Sequence, residues 1–444
     1  MRNTIAFLTL LFYAFAANAQ IVNEDRVQKV DAFIRYLEDN KQLIGSVAVT
    51  EKGETVYSKT FGYKNLQARV APAATEEYQI GSITKMFTAV ILAKLHEEGK
   101  LKFTDQLAAY FPKMPGSKTI TLTQMLNHTS GMQDLLIKND TITDWLLSPQ
   151  TPKDILAEIN RQGLAFEPGT AVAYSNSAYY LLARIVEQKT KMTYAAALKK
   201  YITAPLKMQH TRAYEKDSNF YDVAQSYEKV AGAWTAVQDF HFYNVSGVGD
   251  ILSTPADLNV FMNALHSGKV ISQESLKGMM PVGQQPFGLG LMTVPFYNII
   301  GYGHGGDTLG THTVTSFIAA HDMSISYTVN GEDYGTNDFA IGVLSILFDK
   351  KFDYPVFSSF IATPASYDAY VGIYKNPQFP LDLTITNKRT FLQAQGTGQP
   401  SFPLTQIGEK TFEFKNADLT LIFNPEENTM QLTQSGVEVT MTRE

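Results

Sequence analysis

Behind Gly81-Ser82 the chain carries a segment, residues 83–98, in which Ile83, Met86, Phe87, Val90, Ile91 and Leu95 recur at helical spacing. The apolar stripe is too broad for a helix lying on a surface, so other elements must pack around it on several sides. The chain has the material to do so: 444 residues, 44% hydrophobic and 18% charged, suit one large domain and a smaller one.

What surrounds that helix is partly legible. Val27, Val30, Ile34 and Leu37 predict a helix, and residues 44–50 and 55–63 predict two strands around the turn Glu51-Lys52-Gly53-Glu54. Strand patterns return at 311–320 and 323–330, followed by a helical pattern at 338–348, so strands from both ends can share one sheet. Residues 78–265 read as mainly helical, with loops rich in Pro, Gly and Ser. One of these helices should start at Thr254-Pro255-Ala256-Asp257, where Thr can cap, Pro fits the first turn and Asp favours the positive end. The expectation is an α/β sandwich with a helical insertion. From about residue 364 the texture changes to short strand-like runs at 381–386, 411–414, 419–423 and 437–442, divided by Gly, Asn and Pro. These predict a separate small all-β domain, a meander or barrel.

The N-terminus reads as a secretory signal over residues 1–19, with Arg2, an apolar run at 4–16 and the small-x-small site Ala17-Asn18-Ala19. A membrane anchor is disfavoured, because the run is shorter than the ~20 residues that span a bilayer. The mature protein is therefore expected to be periplasmic or secreted, with no membrane span. The absence of cysteine removes disulfides, thiol nucleophiles and thiolate zinc sites. A formal net charge of -6 with no Lys/Arg run gives no reason to expect nucleic-acid binding.

Three local patterns carry chemistry. Ser82 and Lys85, in Ile80-Gly81-Ser82-Ile83-Thr84-Lys85, stand one helical turn apart and share a face. A buried amine of lowered pKa can take the proton of the hydroxyl, and the helix start favours an oxyanion beside it. The spacing alone is weak, since Ser-x-x-Lys recurs at 226–229. Tyr174-Ser175-Asn176 follows the turn signal Phe166-Glu167-Pro168-Gly169-Thr170 and enters a helical pattern. Tyr174, with its pKa lowered by Lys85, is expected to act as general base and later as acid, and the Asn176 amide to orient Lys85 and substrate. Other Tyr-x-Asn triplets lie at 63–65 and 374–376, so this pattern also needs context. Gly301-Tyr302-Gly303-His304-Gly305-Gly306-Asp307 precedes the strand from 311; its glycines let backbone N–H groups of an edge strand approach an oxyanion. His304 is expected to hydrogen-bond a substrate carboxylate or Tyr174 near neutral pH.

In this order, and with Leu126-Asn127-His128-Thr129-Ser130-Gly131 and the stretch at 249–258, these patterns resemble the serine β-lactamase and penicillin-binding protein superfamily. The resemblance is to its class C-like branch of D-amino-acid peptidases and esterases, and it spans about residues 44–348. It implies a β-lactamase-like antiparallel sheet with flanking helices and a helical subdomain over 23–360, and a lipocalin-like β domain over 364–444. It further implies an acyl-enzyme on Ser82, with Lys85 and Tyr174 moving protons. Asn176, His304 and Gly306 would contact substrate, and the backbone N–H groups of Ser82 and Asp307 would form the oxyanion hole. His304 replaces the Lys of the usual Lys-Thr-Gly, which points to peptide or ester substrates over β-lactams. No metal or organic cofactor is implied.

Other designs fit less well. No Gly-x-Ser-x-Gly elbow and no His-Glu-x-x-His occurs, and His96, His128, His210, His241 and His266 are scattered; His128 is expected to fix its loop by hydrogen bonds. A slow penicillin-binding sensor is the non-enzyme alternative, disfavoured by the intact Ser82, Lys85 and Tyr174. Specificity should come from loops at 135–149 and 209–245.

Overall fold

The computed structural model describes residues 21–138, 141–142, 147–215, 223–230, 233–239, 241–283, 285–357, 364–377, 379–388, 391–399, 401–414, 417–434 and 436–444. The signal at 1–19 and parts of the two loops expected to shape specificity lie outside these residues.

The largest sheet joins the two ends of the first 350 residues. Leu43–Glu51 pairs antiparallel with Glu54–Phe61 on one side and with Met323–Glu332 on the other. His312–Ile318, Ile299–Asp307 and Met292–Phe296 follow in antiparallel order. Tyr227–Val230 adds at the far end of Met323–Glu332 in parallel, and carries Ala233–Ala236. Helices cover both faces. Glu24–Asp39 and Thr336–Leu347 pack on one through Phe33, Ile34, Val47, Ile325, Phe339 and Val343, all buried. Pro255–His266, capped by Thr254 as expected, lies on the other. Beneath it the sheet is polar rather than oily: Asn259 Oδ1 accepts from Ser326 Oγ and Asn263 Nδ2 donates to Thr50 Oγ1, so the buried hydroxyls find partners.

The expected central helix is present as a single 3-10 turn, Gly81–Ile83, running into Thr84–Glu97. Its positions 84–93 and Leu95 are all buried, which explains the broad apolar stripe. The helix Asn176–Thr190 packs against it, and the shared core extends to Leu122, Phe261 and Met262. A short sheet of Tyr78–Gln79, Ile251–Ser253 and Arg212–Ala213 fixes the approach to Ser82.

The C-terminal segment closes into an eight-stranded antiparallel barrel, from Gly372–Lys375 to Val437–Arg443. Tyr374, Phe412, Leu421, Phe423, Met430 and Met441 fill its interior. An eight-stranded barrel is just wide enough for side chains to fill its interior.

The glycine-rich stretch lies in the strand Ile299–Asp307, paired on one side with His312–Ile318. Its other neighbour, Met292–Phe296, reaches only to Gly303. From His304 onward it is therefore an edge, and that edge faces residues 80–83.

Candidate active site

The site begins with how residues 80–83 meet the glycine strand. An added Cβ on Gly306 would lie 2.0 Å from Ile80 O and 2.8 Å from Ser82 N; one on Gly81, whose φ is +50°, would lie 2.7 Å from Asp307 N. Only glycines at both positions let the two backbones approach this closely. The approach brings the main chain of Asp307 beside Ser82, as an oxyanion hole made from the two N–H groups requires. Gly305, by contrast, has only Thr313 O at 4.0 Å from an added Cβ. Gly306→Ala should therefore destabilise the fold by about 1–3 kcal/mol through overpacking and abolish turnover, while Gly305→Ala leaves both near wild type. Thermal unfolding and ester hydrolysis of the two variants check this; equal behaviour would refute the cradle.

Lys85 is fully buried and donates two hydrogen bonds, to Ser82 Oγ at 2.9 Å and to Val248 O at 3.1 Å. Burial lowers its pKa to about 7, against the opposing charge of Asp134. Near neutral pH a good part of the population thus holds a free amine against the Ser82 hydroxyl. The second Ser-x-x-Lys has no such geometry. Ser226 bonds Thr311 Oγ1, and Lys229 pairs with Asp333 at 2.6 Å.

Tyr174 sits just before the helix Asn176–Thr190, which Ser175 caps by accepting from Ala178 N. Its ring stacks on His128 with centroids 4.3 Å apart, and Lys85 Nζ stands 4.9 Å from its centroid. The structure corrects the expected direction of its pKa. Burial raises it above the ordinary phenol value, and the Ser82 hydroxyl offsets only part of that. Lys85, its own pKa lowered to about 7, is only partly charged near neutral pH and does not offset the burial of the phenol. Tyr174 is consequently a neutral hydroxyl, buried and outside ordinary hydrogen-bond geometry with any described partner. The other Tyr-x-Asn triplets lie elsewhere: Tyr63 is exposed, and Tyr374 is in the barrel core.

His128 does fix its loop. In a left-handed conformation, φ 62°, it accepts from Ser175 N through Nδ1, and its carbonyl accepts from Ala173 N. His304 departs from expectation. It is buried, its Nδ1 donates to Gly305 O, and burial lowers its pKa to about 4. It is neutral throughout the physiological range and brings no positive charge to a substrate carboxylate. Asn176 also differs: its backbone N and Nδ2 both donate to Asp134 Oδ2, at 3.0 and 2.9 Å, rather than to groups around Lys85. The remaining scattered histidines stay outside the site; His96 stacks on Phe103 and His266 on Phe317.

Two site residues were not found from sequence. Asp134 anchors the start of the Asn176 helix and also accepts from Leu136 N. Its position three residues after Gly131, beyond a recognised stretch, was the available signal. Phe287 contacts His128 and Tyr174 at 4.7 and 5.7 Å between centroids and forms a half-buried apolar wall. It lies in a Pro- and Gly-rich loop with no periodicity to betray it. Among the described residues no group of three His, Asp or Glu is placed to hold a metal, and no helix is long and apolar enough to cross a membrane.

The family model described as Beta-lactamase matches residues 30–343. A penicillin-binding protein of Bacillus subtilis is 25% identical over 410 residues, covering 84% of this chain and 89% of the relative. The teichoic acid D-alanine hydrolase of Staphylococcus aureus is 28% identical over 249 residues, 56% of this chain and 60% of the relative. Among solved structures, a D-amino acid amidase from Ochrobactrum anthropi SV3 superposes with a TM-score of 0.66 at 24% identity, over 73% of this chain and 99% of the amidase.

Proposed function

We propose, for a chain that belongs to the beta-lactamase family, that Ser82 forms an acyl-enzyme with D-aminoacyl amides or esters. The observation that carries this reading is the 2.9 Å contact between Nζ of the fully buried Lys85 and Oγ of the partly buried Ser82. Neutral Lys85 takes the Ser82 proton as Oγ bonds to the substrate carbonyl carbon. The carbonyl oxygen becomes an oxyanion held by the N–H groups of Ser82 and Asp307. As the carbonyl re-forms, the bond to the leaving nitrogen or oxygen breaks. That atom takes a proton from the Tyr174 hydroxyl, which the Lys85 ammonium replenishes. Water then attacks the acyl carbon, gives up a proton to the same pair and releases the acid with Ser82 restored.

The charge around the pocket supports substrates without a free carboxylate on the leaving side. A peptide ending in D-alanine, or a β-lactam, presents such a carboxylate. His304 is neutral, and the charged groups acting on Tyr174 are Asp134 and Asp307, both acidic, the second paired with His312 at 2.7 Å. An acyl donor with a free amine suits that field. Relatives named for D-amino acid amidase and teichoic acid D-alanine hydrolase activities are consistent with this substrate class.

The test is a panel: D-alanine p-nitroanilide, p-nitrophenyl acetate, a D-alanyl-D-alanine peptide and a chromogenic β-lactam. The expected result is turnover of the first two at kcat/KM about 100-fold above the last two, the scale of one lost charged contact. Preference for the carboxylate-bearing pair would reject the proposed class.

A further inference from the structure

The carbonyl that accepts the second Lys85 hydrogen bond belongs to Val248, in a turn that sequence patterns did not connect to the site. The turn is held at both ends. Asp250, fully buried, accepts from Gly247 N through Oδ1 at 2.8 Å. Thr88 donates from Oγ1 to Gly247 O at 2.7 Å, and that same hydroxyl meets Tyr194 OH at 2.7 Å. Gly247 has no latitude: φ is +74°, and an added Cβ would lie 2.2 Å from Ala183 Cβ. Arg184 closes the arrangement with Nη2 on Ser246 Oγ at 3.0 Å, and its charge favours the Asp250 carboxylate.

The residues after Asp250 grip the other side of the nucleophile. Ile251 N donates to Thr84 Oγ1, and Ile80 N donates to Ile251 O. Residues 247–251 thus touch Lys85, Thr84 and Ile80, and Asp250 is the one ionisable side chain among them. Burying a carboxylate is unfavourable unless its hydrogen bonds fix something of use.

We propose that Asp250 is a positioning residue that sets Lys85 against Ser82 by clamping the turn that carries Val248 O. This rests on the reading of Lys85 as the proton acceptor. A Lys side chain has four rotatable bonds, so two fixed acceptors are needed to hold its amine in one place. When the clamp is released, substrate binding is unchanged, because Asp250 has no part in the pocket wall, and the proton-transfer step is slowed.

The experiment uses the full chain and p-nitrophenyl acetate, with active sites counted from the burst so that misfolded protein does not enter the rate. Asp250→Ala should lower kcat per active site by about tenfold with KM within about twofold. Asp250→Asn should stay within about threefold of wild type, because its amide oxygen can still accept from Gly247 N. Should Asp250→Ala not fold, Thr88→Val releases the other side of Gly247 and is expected to lose about threefold in kcat at unchanged KM. Wild-type kcat in Asp250→Ala or Thr88→Val, a loss carried by KM, or Asn no better than Ala overturns the positioning role. Rapid hydrolysis by Lys85→Met would instead overturn the reading of the site on which it rests.

Discussion

Ser82→Ala is expected to remove hydrolysis of amide and ester substrates, with a loss of at least about 10⁴-fold in kcat and an intact fold. The magnitude follows from the mechanism: without Oγ no covalent intermediate forms, and what remains is the modest help that an oxyanion hole gives a bound substrate. The fold should persist because Ser82 is only partly buried and its hydroxyl accepts a hydrogen bond from Lys85. Removing the hydroxyl leaves that amine with Val248 O as partner. Steady-state kinetics beside a thermal melt provide the check. Retained turnover would mean that another group is the nucleophile, and a collapsed melt would leave Ser82→Cys as the variant to assay.

Lys85→Met should lower kcat by about 10³-fold, the upper range for loss of a proton acceptor that also orients the nucleophile. Met is apolar and similar in length, so it fills the fully buried site without creating a cavity. In the wild type the same residue predicts a pH profile. Lys85 works as the free amine, and its pKa is lowered to about 7, so kcat/KM should fall tenfold per pH unit once the pH is well below 7. His128 and His304 cannot produce this limb, since burial holds both mainly neutral down to lower pH. Asp250 can, because burial raises its pKa to about 7 as well. Asp250→Asn separates the two: a limb that persists there belongs to Lys85, and one that vanishes belongs to Asp250.

The parts of this site legible in the sequence were those set by local periodicity. Ser82 and Lys85 stand one helical turn apart, and that geometry survives folding unchanged. The same holds for the Thr254 cap and for the alternating strands at each end, whose pairing in one sheet followed from the need to cover the central helix. The barrel strands Leu419–Asn424 and Val437–Arg443 announced themselves through β-branched runs. Leu392–Gly396 and Phe402–Gln406 did not, because they offer few inward apolar positions between Gln, Gly and Pro. What escaped was whatever depends on burial by distant segments. The sign of the Tyr174 shift, the neutrality of His304 and the capture of Asn176 by Asp134, 42 residues away, are set by groups brought together across the fold. Val248 meets Lys85 across 163 residues through a backbone carbonyl, which no sequence pattern can announce, and Asp250 acts through Gly247 of the same turn.

The central claim is a covalent acyl bond on Ser82, and acid-quenched intact-mass analysis with peptide mapping tests it most directly. Wild type and Ser82→Ala are each mixed with p-nitrophenyl acetate and, separately, with a penicillin. The account predicts the mass of one acetyl group on the peptide containing Ser82 in the wild type, released on standing, and none in Ser82→Ala. Turnover without any trapped adduct, or an adduct that maps to another residue, would contradict it.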